Sequence, residues 1–328
     1  MEHDSWPAGA KYVTGDATLR SSAHSAGYSK ARKTDRGPVT QGVLPDAMRN
    51  LELIDVFVKD GETDLRPAIA RLLARADPAI GAWPCTSVAQ TDTCLKRGSG
   101  SPETSTRSCP KKHLEDFAIP PASLASAKRA ALCVTSSTWV AGTKAGTIMD
   151  AQASLAQLVA QDDAPGGFLF MFDEMLEKKL LPVLKQRLVA CGAVGSETTK
   201  IKFYIQRPPT LRLQPGPSSR YVRPHRDHEY GHQDGEINFW LPLTDPRETG
   251  VDLEVESAPD LGDFARTNAA IGQAVAFHGT SKKHKVGPNA SHATRASIDF
   301  RVGIETYFDP KWSMAGTKAD HDRKVFEL

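Results

Sequence analysis

The chain has 328 residues and 40% of them are hydrophobic, which is enough for a sizeable folded core. Its formal net charge of +2 at pH 7 is too small to favour nucleic acid or an anionic membrane as a partner. There is no run of 18 apolar residues and no apolar segment behind a basic start, so we expect a cytoplasmic protein without a membrane span or a secretion signal.

The N-terminal half predicts an arm followed by helices. Residues 1–45 are rich in Gly, Ser, Ala and mixed charge without an apolar period, so we expect a mobile or loosely docked arm. Residues 46–198 predict a helical support region, with a helical period from Pro45 to Arg75 and a polar surface loop near 85–112. Three of the five cysteines lie in that loop; reduced thiols are favoured, and a disulfide stays open.

Further helical signals lie near 123–131 and 149–159, and the clearest helix runs from Phe168 to Val189. Apolar residues recur along this last segment with the 3.6-residue period, and charged residues occupy positions between them. Pro182 predicts a kink or a break, because proline cannot donate a helical hydrogen bond. Cys191-Gly192 is typical of a helix C-terminus.

The pattern changes to strands in residues 199–310. Short runs rich in β-branched and aromatic residues, such as KIKFYIQ and GEINFWLPLT, alternate with turn signals such as Asp234-Gly235. This arrangement predicts an α+β fold in which N-terminal helices buttress a β-sandwich or barrel. Residues 311–328 are assigned to a C-terminal tail.

The segment RPHRDHEYGHQDGEINFW carries a candidate metal site. His225 and Asp227 are two residues apart, and side chains at that spacing on an extended segment point to the same side. A third ligand must come from another strand, and AFHGTSKKHKVGPN offers His278 and His284. Two imidazoles and one carboxylate on one face of an iron ion leave three positions open, as non-haem iron(II) oxygenases require.

Spacing favours His284 over His278 as the distal ligand. Arg295 lies eleven residues after His284, which fits a strand, a Pro288-Asn289 turn and a return strand, whereas His278 would need a longer excursion. His278 directly follows the apolar run AVAF, so we expect it to end that strand and at most to orient a ligand.

Arg295 and Ser297 can return to the same side of the sheet, near the metal. A guanidinium can bind the far carboxylate of a dicarboxylate with two hydrogen bonds, and the Ser297 hydroxyl can add one more. Arg301 shares this face and is the alternative anchor, and an ordinary structural ion pair is the other reading of Arg295.

The same segment contains HEYGH, which matches the H-E-x-x-H signature of zinc proteases. That chemistry needs a helix that places both histidines on one face, but Pro224, Gly231 and Gly235 interrupt any helix here. His228 and His232 are therefore interpreted as pocket, ligand-supporting or solvated groups. Glu236 and Asn238 share a strand face and either point to substrate or bond structural partners.

HRDHEYGHQDGEINFWLPLT and NASHATRASIDFR resemble the Fe(II)/2-oxoglutarate-dependent dioxygenases, and within them a group found in streptomycin-type aminoglycoside biosynthesis. The resemblance covers roughly residues 199–305. It implies a double-stranded β-helix, or jelly-roll, with iron held by His225, Asp227 and His284. It further implies that Arg295 and Ser297 anchor 2-oxoglutarate.

The resemblance implies Fe(II), 2-oxoglutarate and O₂ as the reacting set, with ascorbate as a possible supporting reductant, and no catalytic residue beyond the metal ligands. The expected reaction is hydroxylation of a small polar metabolite, sugar- or cyclitol-like, with release of succinate and CO₂. Asp227 speaks against a halogenase, because such enzymes lack this carboxylate. The oligomeric state is left open.

Two other classes of function stay open at the sequence level. A jelly-roll binding protein without turnover would form no succinate. An oxygenase acting on a protein or on nucleic acid could use the basic residues of the arm and the polar loop, and a salt-dependent shift assay would reveal nucleic-acid binding.

Overall fold

The computed structural model describes residues 11–12, 39–57, 62–76, 133–135, 139–140, 159–196, 198–215, 220–291, 293–312 and 323–328. The predicted polar loop near 85–112 and the helical signal near 123–131 lie outside these residues, as does most of the signal near 149–159. Cys191 is a free thiol, and the side chains of the other four cysteines are not among those described.

Helices form in the predicted helical region, with one correction, and one further short helix lies among the strands. They are α1 (Asp46–Arg49), α2 (Arg66–Ala76), α3 (Phe168–Met175), α4 (Leu181–Ala190) and α5 (Pro246–Thr249). A continuous helical period from Pro45 to Arg75 is wrong, because Glu52–Asp55 forms a strand between α1 and α2. There Ile54 and Val56 are buried and Leu53 is exposed, which is the two-residue period of a strand.

Among the described residues, no helix is both long enough and apolar enough to cross a membrane.

The long helical segment changes its hydrogen-bonding pattern next to Pro182, where a kink or a break was expected. Between α3 and α4 the residues Leu176–Leu180 form a π-helical turn, and the N–H of Leu181 donates to the carbonyl of Leu176. Pro182 lies in the first turn of α4, directly after this π-helical turn. Gly192 follows the helix with a φ of 74°, which glycine adopts readily.

The strands form two sheets. Their bounds are β1 (Lys11–Tyr12), β2 (Glu52–Asp55), β3 (Cys133–Thr135), β4 (Trp139–Val140), β5 (Lys202–Gln206), β6 (Thr210–Pro215), β7 (Arg220–His225), β8 (Glu236–Pro242), β9 (Leu253–Val255), β10 (Ala265–Arg266), β11 (Gln273–Phe277), β12 (His284–Val286), β13 (Thr294–Ile304) and β14 (Arg323–Glu327). The small sheet has the order β1-β7-β12-β9-β10. The large sheet has the order β2-β11-β8-β13-β6-β3-β4, with β5 pairing both β13 and β14.

The two faces of the large sheet serve different purposes. Along β13, Ala296, Ile298 and Phe300 belong to the main hydrophobic core, and the Phe300 ring packs edge-on against Phe172 of α3 at 5.0 Å. Burying such an aromatic side chain stabilises the fold by about 1.5–3 kcal/mol. Arg295, Asp299 and Arg301, on the other face of β13, line a pocket between the two sheets.

Two facing, mainly antiparallel sheets with helices on the outer face confirm the predicted α+β jelly-roll. Two segments expected at its margins contribute strands to it. Lys11–Tyr12 of the arm pairs with Arg220–Tyr221 in parallel, and Arg323–Glu327 of the tail pairs with β5 along five residues.

Candidate metal centre

Two paired strand ends, and the turn that follows one of them, bring the candidate ligands together. His225 is the last residue of β7, and Asp227 begins a short 3₁₀ turn that extends to Tyr230. His284 is the first residue of β12 and lies directly opposite His225 in the antiparallel register. The pairing of β7 with β12 therefore places two histidines and one carboxylate side by side.

The ligand atoms of these three residues converge on one point. Asp227 Oδ1 lies 3.6 Å from His225 Nε2 and 3.4 Å from His284 Nε2. All three atoms lie within 4.8 Å of one another. Ligands at right angles, each about 2.1 Å from a metal ion, are separated by about 3 Å, so a small contraction would let one ion contact all three. Asp227 Oδ1 is buried and accepts no hydrogen bond from the described residues.

The other oxygen of Asp227 is tightly held. Arg301 Nε donates to Oδ2 at 2.6 Å and Asn238 Nδ2 donates to it at 2.5 Å. Burial alone would raise the pKa of Asp227, but the Arg301 guanidinium, together with His284, outweighs it and holds that pKa well below its usual range. The carboxylate is therefore charged, and its unbonded Oδ1 is turned toward the two imidazoles.

Backbone hydrogen bonds orient both imidazoles. His225 Nδ1 lies 2.8 Å from the carbonyl oxygen of Arg223, and His284 Nδ1 lies 3.3 Å from that of Lys282. A carbonyl only accepts, so each Nδ1 carries a proton and Nε2 is the ring atom left to bind a metal. Burial and the neighbouring His284 lower the pKa of His225 to about 3, which keeps this ring neutral at physiological pH.

Arg295 and Ser297 lie on the pocket-facing side of β13. Arg295 is 2% exposed, lines the same pocket as His225 and His284, and its Nη2 donates to Ser297 Oγ at 2.9 Å. Arg301, the alternative anchor, lies on this side too, but its guanidinium bonds Asp227 and, at 2.9 Å, Gln206 Oε1. Arg295 therefore bonds a hydroxyl within the pocket, whereas Arg301 bonds the candidate metal ligand Asp227.

His278 is engaged outside the ligand cluster. Its Nε2 lies 2.9 Å from the carbonyl oxygen of Asp234 and its Nδ1 lies 2.6 Å from Ser281 Oγ. The Nε2–H donates to the carbonyl, so Nδ1 accepts from the hydroxyl and neither nitrogen has a lone pair to offer a metal.

The HEYGH segment is not the α-helix that a zinc protease needs. Residues Asp227–Tyr230 form a 3₁₀ turn that ends at Gly231, whose φ is 84°. His228 is exposed, whereas His232 is buried and its Nδ1 lies 2.9 Å from Glu236 Oε2. Arg323 of β14 also donates to Glu236, and despite burial it lowers the pKa of that carboxyl to about 2. This cluster ties the turn to the C-terminal strand.

Several pocket groups were not singled out from the sequence. Arg212 and Asp299 form an ion pair inside the pocket, and Trp240 Nε1 is a buried donor without a hydrogen-bond partner among the described residues. Gly279 accepts from the N–H of Asp227 at 2.8 Å, and a Cβ at Gly279 would lie 2.6 Å from the Asn238 side chain. Trp240 and Asp299 could have been found from the alternation of side chains along β8 and β13, because each shares a strand face with a residue that was predicted to lie near the site. No local sequence pattern pointed to Gly279.

The fold and this site define a class: a jelly-roll protein with a two-histidine, one-carboxylate centre of the type that suits non-haem iron. The chain is similar to the streptomycin biosynthesis protein StrG of Streptomyces griseus, with 31% identity over 117 residues. The match spans 36% of this chain and 54% of StrG, about half the length of that relative. It confirms the resemblance to the streptomycin-type group. No family model matches the chain.

Two solved structures are also similar to the chain. One is the non-haem alpha-ketoglutarate-dependent carbocyclase SnoK from nogalamycin biosynthesis, with 13% identity, a TM-score of 0.36 and coverage of 82% of this chain and 87% of that one. The other is AviO1 from Streptomyces viridochromogenes Tue57, with 14% identity, a TM-score of 0.36 and coverage of 82% and 96%.

Proposed function

We propose that this chain is an Fe(II)- and 2-oxoglutarate-dependent dioxygenase that hydroxylates a small polar metabolite and releases succinate and CO₂. The observation that carries the proposal is the unbonded, buried Asp227 Oδ1 facing the Nε2 atoms of His225 and His284. A buried charged oxygen without a donor is costly unless a cation occupies the position in front of it.

The donor set fits iron(II). His225 and His284 would each bind the ion through Nε2 and Asp227 through Oδ1, so the protein would occupy one face of the ion and leave the other face open. Arg301 and Asn238 occupy Oδ2 of Asp227, which prevents the carboxylate from rotating and favours binding through one oxygen.

The pocket also fits a dicarboxylate. Arg295 and Ser297 are paired on the pocket-facing side of β13, where both can donate to the far carboxylate of 2-oxoglutarate. Trp240 Nε1–H is a third buried donor in the same pocket, and an acceptor oxygen from a bound ligand would satisfy it.

Iron(II), with 2-oxoglutarate and O₂ bound, supplies oxidative decarboxylation and oxidation of an unactivated C–H bond. The protein supplies geometry and shielding. Val222, Phe277 and Val286 line the pocket beside the histidines, and these apolar walls limit water near the reacting atoms. A reactive intermediate is thereby kept from side reactions with solvent.

The substrate is assigned to small polar, sugar- or cyclitol-like metabolites, because the curated relative takes part in streptomycin biosynthesis. The test measures succinate release by the iron-loaded protein with 2-oxoglutarate, in the presence and absence of candidate metabolites. We expect one class of metabolite to stimulate succinate formation and to gain one oxygen by mass spectrometry. If the iron-loaded protein released no more succinate than the metal-free control with any candidate metabolite, the chain would instead be a binding protein without turnover.

The cosubstrate anchor gives a sharper expectation. Arg295→Ala should raise the apparent Kd for 2-oxoglutarate at least roughly thirtyfold, since losing a charged hydrogen-bond partner in a shielded site costs about 2–5 kcal/mol. Binding of the metal should change little, because Arg295 is not among the residues that bond Asp227. Calorimetric titration of 2-oxoglutarate into Ni(II)-loaded protein measures this Kd.

Arg301→Ala is the matched control on the same face of the same strand. It removes the guanidinium that bonds Asp227 Oδ2, so it should weaken metal binding first. If Arg301→Ala impairs 2-oxoglutarate binding at full metal occupancy and Arg295→Ala does not, the anchor assignment is wrong.

A further inference from the structure

A buried carboxylate lies next to the strand that carries His284. Glu256 directly follows β9, whose last residue Val255 is opposite His284 in the antiparallel register. The Glu256 side chain is 1% exposed. Its own N–H donates to the carbonyl of Lys283 at 3.0 Å, so the two segments are also joined through the backbone.

Three backbone amides donate to this carboxylate. Glu256 Oε2 accepts from the N–H of Lys283 at 2.8 Å and from that of Asp260 at 3.3 Å, and Oε1 accepts from Gly262 at 3.0 Å. Glu256 therefore fixes the loop 257–263 and the residue that immediately precedes His284. Both the N–H and the C=O of Lys283 are held by this one residue.

The same loop also reaches the other two candidate ligands. Asp260 Oδ1 accepts from Lys283 Nζ at 3.0 Å, and it also accepts from Arg226 Nη2. Arg226 lies between His225 and Asp227 in the chain. One loop thus bonds the residue before the distal histidine and the residue between the other two ligands.

We propose that Glu256, through the loop 257–263, is the positioning residue that sets His284 relative to His225 and Asp227. This rests on the proposed metal site. Burial decides which of the two acids matters more. The Asp260 carboxylate is 65% exposed, and ion pairs at such positions contribute little, whereas the buried Glu256 has three amide donors that depend on it.

Glu256→Gln is the decisive variant. Glutamine keeps the size but offers one acceptor oxygen, so its amide nitrogen must face either Gly262 or the amides of Lys283 and Asp260, leaving them unpaired. The matched control is Glu254→Gln on the same strand. Glu254 pairs with the Lys285 side chain at 3.0 Å, next to His284, and the change there leaves the backbone of Lys283 untouched.

The measurement is Co(II) affinity of metal-free protein by calorimetry, together with the Co(II) absorption spectrum and thermal unfolding. We expect Glu256→Gln to bind Co(II) roughly 10–100-fold more weakly, the range for losses of groups that orient a ligand, with an altered spectrum. Glu254→Gln should stay within about twofold of wild type.

A merely structural role would lower the melting temperature of Glu256→Gln and leave the Co(II) affinity and spectrum of its folded protein unchanged, which would overturn the proposal. If Glu256→Gln does not fold, Glu256→Asp replaces it: the carboxylate is kept but withdrawn by one methylene from the three amides, with an expected loss of roughly tenfold. Unchanged affinity there overturns the proposal as well. Wild-type protein that binds no Co(II) would instead refute the metal site itself.

Discussion

Asp227→Ala is expected to abolish tight metal binding and coupled turnover. Asp227 supplies the anionic ligand of the three-residue cluster, and without it the two imidazoles hold an ion by neutral donors alone. The change also leaves Arg301 as a buried charge without its carboxylate, which costs about 3–5 kcal/mol of folding stability. Metal content after loading, succinate formation and thermal unfolding of the metal-free protein measure the three effects.

Asp299→Asn is the control for the loss of a pocket carboxylate. Asp299 also pairs with an arginine, Arg212, on the pocket-facing side of β13, but it is not part of the ligand cluster. It should therefore retain metal at nearly the wild-type stoichiometry of one ion per chain. Full activity of the Asp227→Ala protein in the presence of a chelator would refute the proposed iron chemistry.

The second large effect separates the two histidines that follow β11. His284→Ala should remove tight iron binding, because it deletes one of the two Nε2 atoms that lie beside Asp227 Oδ1. His278→Ala should weaken it at most by roughly 10–100-fold, because both ring nitrogens of His278 are used by Asp234 and Ser281. Calorimetry with Fe(II) under anaerobic conditions compares the two variants.

Thermal unfolding provides the internal control for this pair. His278→Ala should destabilise the metal-free protein, since it removes the ring N–H that donates to the buried carbonyl of Asp234. Added metal should still raise its melting temperature, whereas it should not raise that of His284→Ala. A metal–nitrogen contact near about 2.1 Å to His278, with none to His284, would reverse the assignment and move the expected anchor with it.

The sequence predicted the parts of this protein that depend on local spacing. The 3.6-residue period predicted α3 and α4, and Pro182 predicted an irregularity near their junction, where the structure has a π-helical turn. The apolar period gave the wrong prediction for Glu52–Asp55, because apolar residues at mixed spacings of two and three fit either a helix or a strand. Edge pairing with β11 decides the matter there, and that partner lies more than two hundred residues away in the chain.

The candidate site also has features that the sequence alone determines and features that only the tertiary structure decides. The sequence by itself determined that His225 and Asp227 project together, and that Arg295, Ser297 and Arg301 share a face, because side chains alternate along a strand whatever surrounds it. Their roles as metal and cosubstrate ligands stay predictions. Only the tertiary structure decided that Arg301 bonds Asp227 while Arg295 bonds Ser297. Both arginines lie on the same face of one strand, so side-chain alternation alone cannot tell their partners apart. Only the tertiary structure placed His284 opposite His225 and next to Glu256, because contacts between strands depend on register, which distant residues determine jointly.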